Sequence, residues 1–162
     1  MKIGVMADTH DRLPAIEELL SKMAERGVSM VMHAGDYCSP FALAPFQTAG
    51  LPLLGVFGRN DGDQTTLEAT ASAGFGAEIY ESPHSFEVGG HKVMLVHELG
   101  EINKRSIASH DFVIHGSSHK LEQTRRDTTL LLNPGEACGW ITGSCTAMVV
   151  DLDTGEVEVI TL

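Results

Sequence analysis

Carboxylates and imidazoles that follow short apolar runs are the residues of this sequence best suited to chemistry. Asp8 and His10 follow the first such run, Asp36 and His97 follow two others, and His119 follows a fourth after a short Gly-Ser-Ser connection. Carboxylate oxygens and neutral imidazole nitrogens suit manganese, zinc or iron, and a carboxylate can bridge two cations. This placement predicts a divalent-metal site.

Any one of the eight histidines, taken alone, is better explained as a surface or hydrogen-bonded residue. His84, His91 and His110 fall at turns and strand starts and keep that interpretation, and His33 lies within an apolar run as a core histidine. The five candidate ligands differ because all of them follow predicted strands. Chance would have scattered them over helices as well.

The elements that must position these residues alternate between strands and helices in the first half of the chain, as in parallel βαβ units. Strands are predicted at Lys2 to Ala7, Ser29 to Ala34 and Leu51 to Phe57, and helices at Leu13 to Arg26, Phe41 to Thr48 and Thr65 to Ser72. Ligands of an open parallel sheet bind beyond the carboxyl ends of its strands. The polar residues that follow these strands should therefore converge.

The second half of the chain is richer in predicted strands. Gly89-Gly90 joins two strands as a hairpin turn, and a helix is predicted at Glu101 to Ser109. The strands are Ser85 to Val88, Lys92 to Val96, Phe112 to His115, Leu121 to Arg126, Thr129 to Leu132, Thr146 to Leu152 and Val157 to Leu162. We expect one α/β domain over residues 1–162, with two sheets of which the first is mainly parallel.

Composition narrows the classes of function. The 162 residues include 11 Lys plus Arg against 22 Asp plus Glu, a formal charge of −11, which disfavours nucleic-acid binding through a basic face and polybasic membrane attachment. Three cysteines without a CxxC pair are expected to be reduced thiols. No apolar stretch approaches the roughly 18 residues of a membrane span, and no signal peptide is recognisable. We expect a soluble, cytoplasmic protein.

At these residues the sequence resembles a known family. Five spaced motifs follow the order and spacing of the metallophosphoesterases in the calcineurin-like phosphoesterase superfamily, and the match is greatest to the small bacterial and archaeal phosphodiesterase type. They are Asp8-x-His10, Gly35-Asp36, His97 after a strand, Gly116-x-x-His119 and Asn133-Pro134-Gly135, with a further loop after Val56-Phe57-Gly58. The resemblance implies a four-layer αββα sandwich of two mixed β-sheets flanked by helices.

The resemblance also implies a ligand set. Asp8, His10 and His119 would hold a first metal, and Asp36 would bridge to a second metal that His97 also binds. The cofactor would be one or two divalent ions per chain, with Mn²⁺ favoured and Zn²⁺, Fe²⁺, Ni²⁺ or Mg²⁺ as alternatives. The implied activity is hydrolysis of a phosphodiester or phosphomonoester, a small phosphate-ester substrate, by metal-activated water.

Two positions of the second metal depart from the family pattern. Arg59 stands where an Asn ligand is expected, although a one-residue slip would return Asn60 to that role, and Ser117 stands where a histidine is expected. One hypothesis is that the Arg59 guanidinium replaces the second cation and holds a phosphoryl oxygen. His97, freed from metal binding, could then protonate the leaving group. Rescue by His115 is less favoured, because adjacent strand residues point to opposite faces.

A rival hypothesis belongs to another class of protein. A catalytically degenerate relative would keep the fold and use its surface as a protein-binding scaffold, as the retromer scaffold subunit of the same family does. Loss of second-metal ligands fits that path and would at least reduce activity. Against it, clustered carboxylates without a cation repel one another, which favours retained metal binding. The sequence leaves a homo-oligomer open.

Overall fold

The computed structural model describes residues Met1–Leu162 and contains eleven strands and four α-helices. The helices are α1 (Leu13–Glu25), α2 (Ala44–Ala49), α3 (Gln64–Ala71) and α4 (Lys104–Ala108), with 3-10 turns at Pro40–Leu43 and Leu99–Glu101. The strands are β1 (Lys2–Met6), β2 (Val31–His33), β3 (Leu53–Val56), β4 (Ala77–Tyr80), β5 (His84–Val88), β6 (His91–Val96), β7 (Phe112–His115), β8 (Leu121–Arg126), β9 (Thr129–Pro134), β10 (Thr146–Asp151) and β11 (Val157–Thr161).

The strands form two mixed sheets. The first has the order β11-β10-β1-β2-β3-β4, and β1 to β4 run parallel to one another. The second has the order β5-β6-β7-β9-β8, with parallel pairs β6/β7 and β7/β9 between antiparallel edges. This arrangement confirms the predicted pair of sheets and the mainly parallel character of the first.

Apolar side chains fill three layers, which gives the αββα sandwich. The layer between the sheets includes Ile3, Val56 and Leu132, all of which are buried. Helices α1, α2 and α3 cover the outer face of the first sheet, and Ile107 of α4 packs on the outer face of the second. The predicted fold class is therefore confirmed. No helix combines the length and apolar character needed to cross a bilayer.

Helix α1 shows how local sequence directs this packing. Ile16, Leu19, Leu20 and Met23 are spaced by three and four residues, so that one stripe of the helix faces the first sheet and is buried. Pro14 occupies the first turn, where a missing backbone N–H costs no helical hydrogen bond. The helix ends at Glu25, one residue before the predicted end.

The structure differs from the sequence prediction at three elements. Strand β4 had no predicted counterpart, because it is a short sheet edge with alternate residues buried. The helix predicted at 41–48 is divided between a 3-10 turn and α2, and Pro45 fits the first turn of the new helix. The helix predicted at 101–109 is also divided, because the Asn103 side chain accepts from Arg105 N and Ser106 N and thereby caps α4.

We predict that the Gly55→Ala substitution in β3 destabilises the fold. A methyl group at Gly55 would overlap the hydroxyl of Tyr37, which is fully buried beneath the sheet and stacks on His33. Overpacking of this kind costs about 1–3 kcal/mol. Urea unfolding would measure it, with Gly62→Ala as the matched control because nothing lies within 4 Å of the added carbon there. Equal midpoints for the two variants would contradict the prediction.

Candidate metal centre

The candidate ligands meet because the loops that follow β1, β2, β6 and β7 are joined by backbone hydrogen bonds. Asp8 N donates to Gly35 O at 3.0 Å and His10 N donates to Asp36 O at 3.1 Å, which ties together the first two loops. In the second sheet, Gly116 N donates to His97 O at 3.1 Å. All five predicted ligands, Asp8, His10, Asp36, His97 and His119, lie at this one end of the sandwich.

Asp36 lies at the centre of the site, between two imidazole rings. His10 Nε2 is 3.5 Å from Asp36 Oδ2, and His97 Nε2 is 3.4 Å from Asp36 Oδ1. Both ring nitrogens are buried and have no hydrogen-bond partner. Each oxygen of the carboxylate therefore faces a different imidazole, which is the arrangement that a bridging carboxylate requires.

The tautomer of His97 follows from its second nitrogen. His97 Nδ1 is 2.8 Å from the carbonyl oxygen of Ala34, which can only accept, so Nδ1 carries the proton. When Nδ1 is the only protonated nitrogen of the ring, the Nε2 lone pair faces Asp36 Oδ1 at 3.4 Å, so that two acceptors oppose each other. For His10, burial lowers the pKa and the Asp36 carboxylate opposes that shift. Neutral imidazoles of this kind are competent metal ligands.

Asp8 is the second carboxylate of the site and is fully buried. Ser117 N donates to its oxygens at 3.1 and 3.3 Å, and His119 Nε2 lies 3.8 Å from Asp8 Oδ1. Burial raises the pKa of Asp8 to about 6, and the neighbouring Asp36 carboxylate adds to the rise while His119 opposes it. Oxygens of Asp8 and Asp36 and a nitrogen of His97 lie within 4.8 Å of one another, a spacing that one cation could span.

His119 is oriented by a carboxylate whose partnership with it the sequence did not reveal. His119 Nδ1 donates to Glu136 at 2.8 Å, and Glu136, which is fully buried, also accepts from the backbone N–H groups of Ile141 and Thr142. Burial alone would raise the pKa of Glu136, but these donors outweigh it and hold the pKa at about 2. A fixed carboxylate behind a histidine leaves Nε2 free to bind a metal and sharpens its orientation.

The backbone at the site is held in a conformation that L-residues seldom adopt. The φ angles are 53° at Asp8, 39° at His10, 63° at Asp36 and 58° at His119, all in the left-handed region. Non-glycine residues in sparsely populated regions of this kind cost about 1–3 kcal/mol each and persist where the surrounding structure enforces them. Four of the five predicted ligands share this feature, so the surrounding structure enforces a strained backbone at most of the cluster.

The loop after β3 places Asn60, and not Arg59, against Asp36. Asn60 N donates to Asp36 Oδ1 and Asn60 Nδ2 donates to Asp36 Oδ2, both at 2.8 Å. The Arg59 side chain is 72% exposed and pairs with Glu98 at the rim of the site. Asp61, which is buried, fixes this loop by accepting from Asp36 N, Gly58 N and the backbone N–H of Cys38.

Ser117 and His115 complete the residues considered for the second metal. Ser117 contributes its backbone N–H to Asp8, as described above. His115 Nδ1 lies 3.3 Å from Asn133 Nδ2, and its Nε2 lies 3.8 Å from Glu122. The structure therefore brings His115 to Asn133 and Glu122 and does not bring it to Asp36.

Two thiols border the site. Cys38 Sγ is 3.1 Å from His10 Nδ1, and Cys138 Sγ donates to Glu136 at 3.3 Å. Burial raises the pKa of each thiol to about 12, with nearby carboxylates adding to the rise, so that both are protonated at neutral pH. All three cysteines of the chain are free thiols, as expected from the sequence, and Cys38 makes a polar contact with a candidate ligand.

An αββα sandwich whose loops collect two carboxylates and three imidazoles at one end is the architecture of a metallophosphoesterase. Residues 1–155 match the family model of the calcineurin-like phosphoesterase superfamily domain. The chain belongs to that superfamily, whose members depend on divalent metals.

Individual relatives cover the whole chain. This chain is 32% identical over 165 residues to Phosphodiesterase MJ0936 of Methanocaldococcus jannaschii, and the alignment covers 100% of this chain and 99% of the relative. A solved structure of an archaeal phosphodiesterase superposes with a TM-score of 0.92 at 31% identity, with all of both chains covered. Vps29 from Entamoeba histolytica is similar in fold alone, with a TM-score of 0.70 at 19% identity over 100% of this chain and 98% of Vps29. The predicted family and its hydrolase class are confirmed.

We predict that Glu136→Gln weakens divalent-metal binding about 10- to 100-fold, because loss of an orienting carboxylate has that effect on metal-bound histidines. Isothermal titration with Mn²⁺ would measure the affinity. Glu122→Gln is the matched control, since Glu122 is an exposed carboxylate whose histidine neighbour, His115, lies outside the cluster. Unchanged Mn²⁺ affinity in Glu136→Gln, with the fold intact by circular dichroism, would show that Glu136 does not orient His119 for metal binding.

Proposed function

We propose that this chain hydrolyses a phosphodiester or phosphomonoester at a divalent-metal centre held by Asp8, His10, Asp36 and His119, with His97 on the second side of Asp36. The observation that carries the proposal is the pair of buried, unpartnered Nε2 atoms of His10 and His97, one facing each oxygen of Asp36. Buried polar atoms are almost always hydrogen-bonded, so two orphans around one carboxylate call for an electrophile between them.

The donor set fits a divalent cation. Two carboxylates and three imidazoles supply only oxygen and nitrogen atoms, a combination compatible with Mn²⁺, Zn²⁺, Fe²⁺, Ni²⁺ or Mg²⁺. Among these we propose Mn²⁺, the ion that the family resemblance favours. A bound divalent ion would supply Lewis acidity that acidifies water and polarises a phosphoryl oxygen. The protein's contribution is orientation, through the contacts of Glu136 with His119 and of Ala34 O with His97.

The proposed role of His97 depends on how many cations the site holds. His97 Nδ1 donates its proton in a hydrogen bond to Ala34 O, so only Nε2 is available to bind a metal or to exchange a proton. With two cations bound, Nε2 would be a ligand. With one cation bound on the His10 side, we propose that Nε2 carries a proton and delivers it to the leaving oxygen.

Arg59 is proposed to supply positive charge on the His97 side. Arg59 and His97 line the same open cavity of about 400 Å³, together with Glu98. The pair with Glu98 engages one end of the guanidinium, whose remaining N–H groups are free for a phosphoryl oxygen. Asn60 holds both oxygens of Asp36 from its side of the loop, and its amide remains our candidate for the ligand position that the family assigns to Asn.

We predict that Asp36→Asn lowers hydrolysis of bis-p-nitrophenyl phosphate by Mn²⁺-loaded protein at least about 100-fold, since losing some 2.7 kcal/mol of transition-state stabilisation has that effect. The substitution removes the charge that both imidazoles face while keeping the shape. Asp127→Asn, at an exposed turn, is the control and should leave the rate unchanged. Full activity in Asp36→Asn would refute the shared-carboxylate scheme.

A second prediction concerns Arg59, which stands where the family has an Asn ligand. If Arg59 keeps a second cation away by charge repulsion, Arg59→Asn should raise the Mn²⁺ stoichiometry from one towards two and increase hydrolysis about tenfold, a change of about 1.4 kcal/mol. Metal counting by titration and rate measurement together would test it. Arg125→Asn, on exposed strand β8, controls for loss of surface charge. Unaltered stoichiometry and rate in Arg59→Asn would exclude this role.

A scaffold remains the second candidate function, favoured by the altered second-metal positions and by the fold that the chain shares with Vps29. Such a protein would have no need of a cation, and hydrogen bonds from Asn60 and from Ser117 N would be all that offsets the buried charges of Asp36 and Asp8. Stoichiometric Mn²⁺ binding with metal-dependent hydrolysis would favour the enzyme. Weak, sub-stoichiometric binding without hydrolysis would favour the scaffold.

A further inference from the structure

Trp140, the single tryptophan of the chain, is held at the edge of the metal centre with most of its surface open. It is 64% exposed, yet its Nε1 donates to the backbone oxygen of His10 at 3.5 Å. The Arg12 guanidinium lies 4.6 Å from the ring centroid, in cation–π contact with one face. With 64% of the residue exposed, much of the ring remains accessible to a ligand.

The segment that carries Trp140 is the same segment that orients a candidate ligand. Glu136, four residues before Trp140, accepts from Ile141 N at 3.0 Å and from His119 Nδ1 at 2.8 Å, so that the residue after Trp140 is tied to the carboxylate that orients His119. Arg12 in turn donates from Nη1 to the backbone oxygen of Cys138. A large aromatic ring is thus fixed in position beside His10, instead of moving freely in solvent.

An aromatic ring such as that of Trp140 could bind a substrate that the negative charge of this chain does not attract. The formal charge of −11 gives no long-range attraction to an anionic ester, and the carboxylates of the centre add local repulsion. Stacking of a nucleobase on an aromatic side chain requires no charge. Because Nε1 is already engaged by His10, Trp140 can offer a ligand only its face.

We propose that Trp140 is a stacking platform for a planar heteroaromatic group of the substrate, which makes nucleoside phosphate esters the substrate class of this centre. This inference rests on the proposed function, because it concerns the substrate of the same site. Recognition through the ring face carries no hydrogen-bond readout, so discrimination among bases is expected to be small.

Binding measured by rapid mixing, before turnover, tests the platform directly. Since the chain has one tryptophan, its fluorescence reports only on Trp140. Adenosine 5′-methyl phosphate added to Mn²⁺-loaded protein should quench that fluorescence saturably, whereas dimethyl phosphate, which lacks a ring, should not. Absence of saturable quenching by the adenosine ester would overturn the inference.

Inhibition kinetics separate stacking from a merely structural role. The assay measures inhibition of the hydrolysis of bis-p-nitrophenyl phosphate. Trp140→Ala should raise the inhibition constant of adenosine 5′-methyl phosphate about 5- to 150-fold, the equivalent of 1–3 kcal/mol. The inhibition constant of dimethyl phosphate should remain unchanged. Trp140→Phe should restore most of the affinity. Phe41→Ala is the matched control, because Phe41 is 75% exposed and has none of the contacts that fix Trp140.

The outcomes distinguish this inference from the proposed function. Quenching without any metal-dependent hydrolysis of bis-p-nitrophenyl phosphate would support the platform and refute the enzyme. Hydrolysis with an unchanged inhibition constant in Trp140→Ala would support the enzyme and refute the platform, as expected if Trp140 instead anchors a protein partner. Equal weakening of both inhibitors in Trp140→Ala, or weaker Mn²⁺ binding by that variant, would show that Trp140 only stabilises the loop of His119. Either result would also refute the platform.

Discussion

The electrostatics around Asp36 constrain everything else in this structure. A buried carboxylate faces the unpartnered nitrogens of His10 and His97, with a second buried carboxylate, Asp8, close by. Burying uncompensated charge is costly, and a carboxylate opposite an imidazole lone pair repels it. A cation between these groups would turn each repulsion into a bond. Four of the five candidate ligands have strained backbone conformations, which the surrounding structure must enforce to keep the ligands together.

The surrounding structure restrains the ligands through further anions. Asp61 and Glu136 are both buried, and each collects backbone N–H groups from loops that are distant in sequence. Hydrogen bonds stabilise these carboxylates without neutralising them, so they fix geometry and leave the centre still more negative. We propose that residues 1–162 act as one domain, since loops from both sheets build this one centre.

Much of this arrangement could be predicted from the sequence, because strand periodicity fixes where a strand ends and the polar residue after it then lies at the edge of the sheet. That argument located Asp8, Asp36 and His97. It could not locate the contact of Glu136 with His119, which depends on how the loop at 135–143 folds back. The choice between Arg59 and Asn60 is of the same kind, since periodicity does not set the register of an irregular loop. Strand β4 escaped prediction because it is short and lies at an edge.

The two sides of Asp36 differ in a way that orders cation binding. Asp8 serves both sides, since it lies 3.8 Å from His119 Nε2 and within 4.8 Å of the ligand atoms of Asp36 and His97. Only the His10 side has a second imidazole, that of His119, which Glu136 holds in place. On the other side, His97 is joined by Ser117, which contributes a backbone N–H to Asp8, and the exposed Arg59 guanidinium carries positive charge. Coulomb attraction and ligand number both favour the first side. We therefore infer that a first cation binds with His10 and that the His97 side determines whether this chain uses two ions or one ion and a proton.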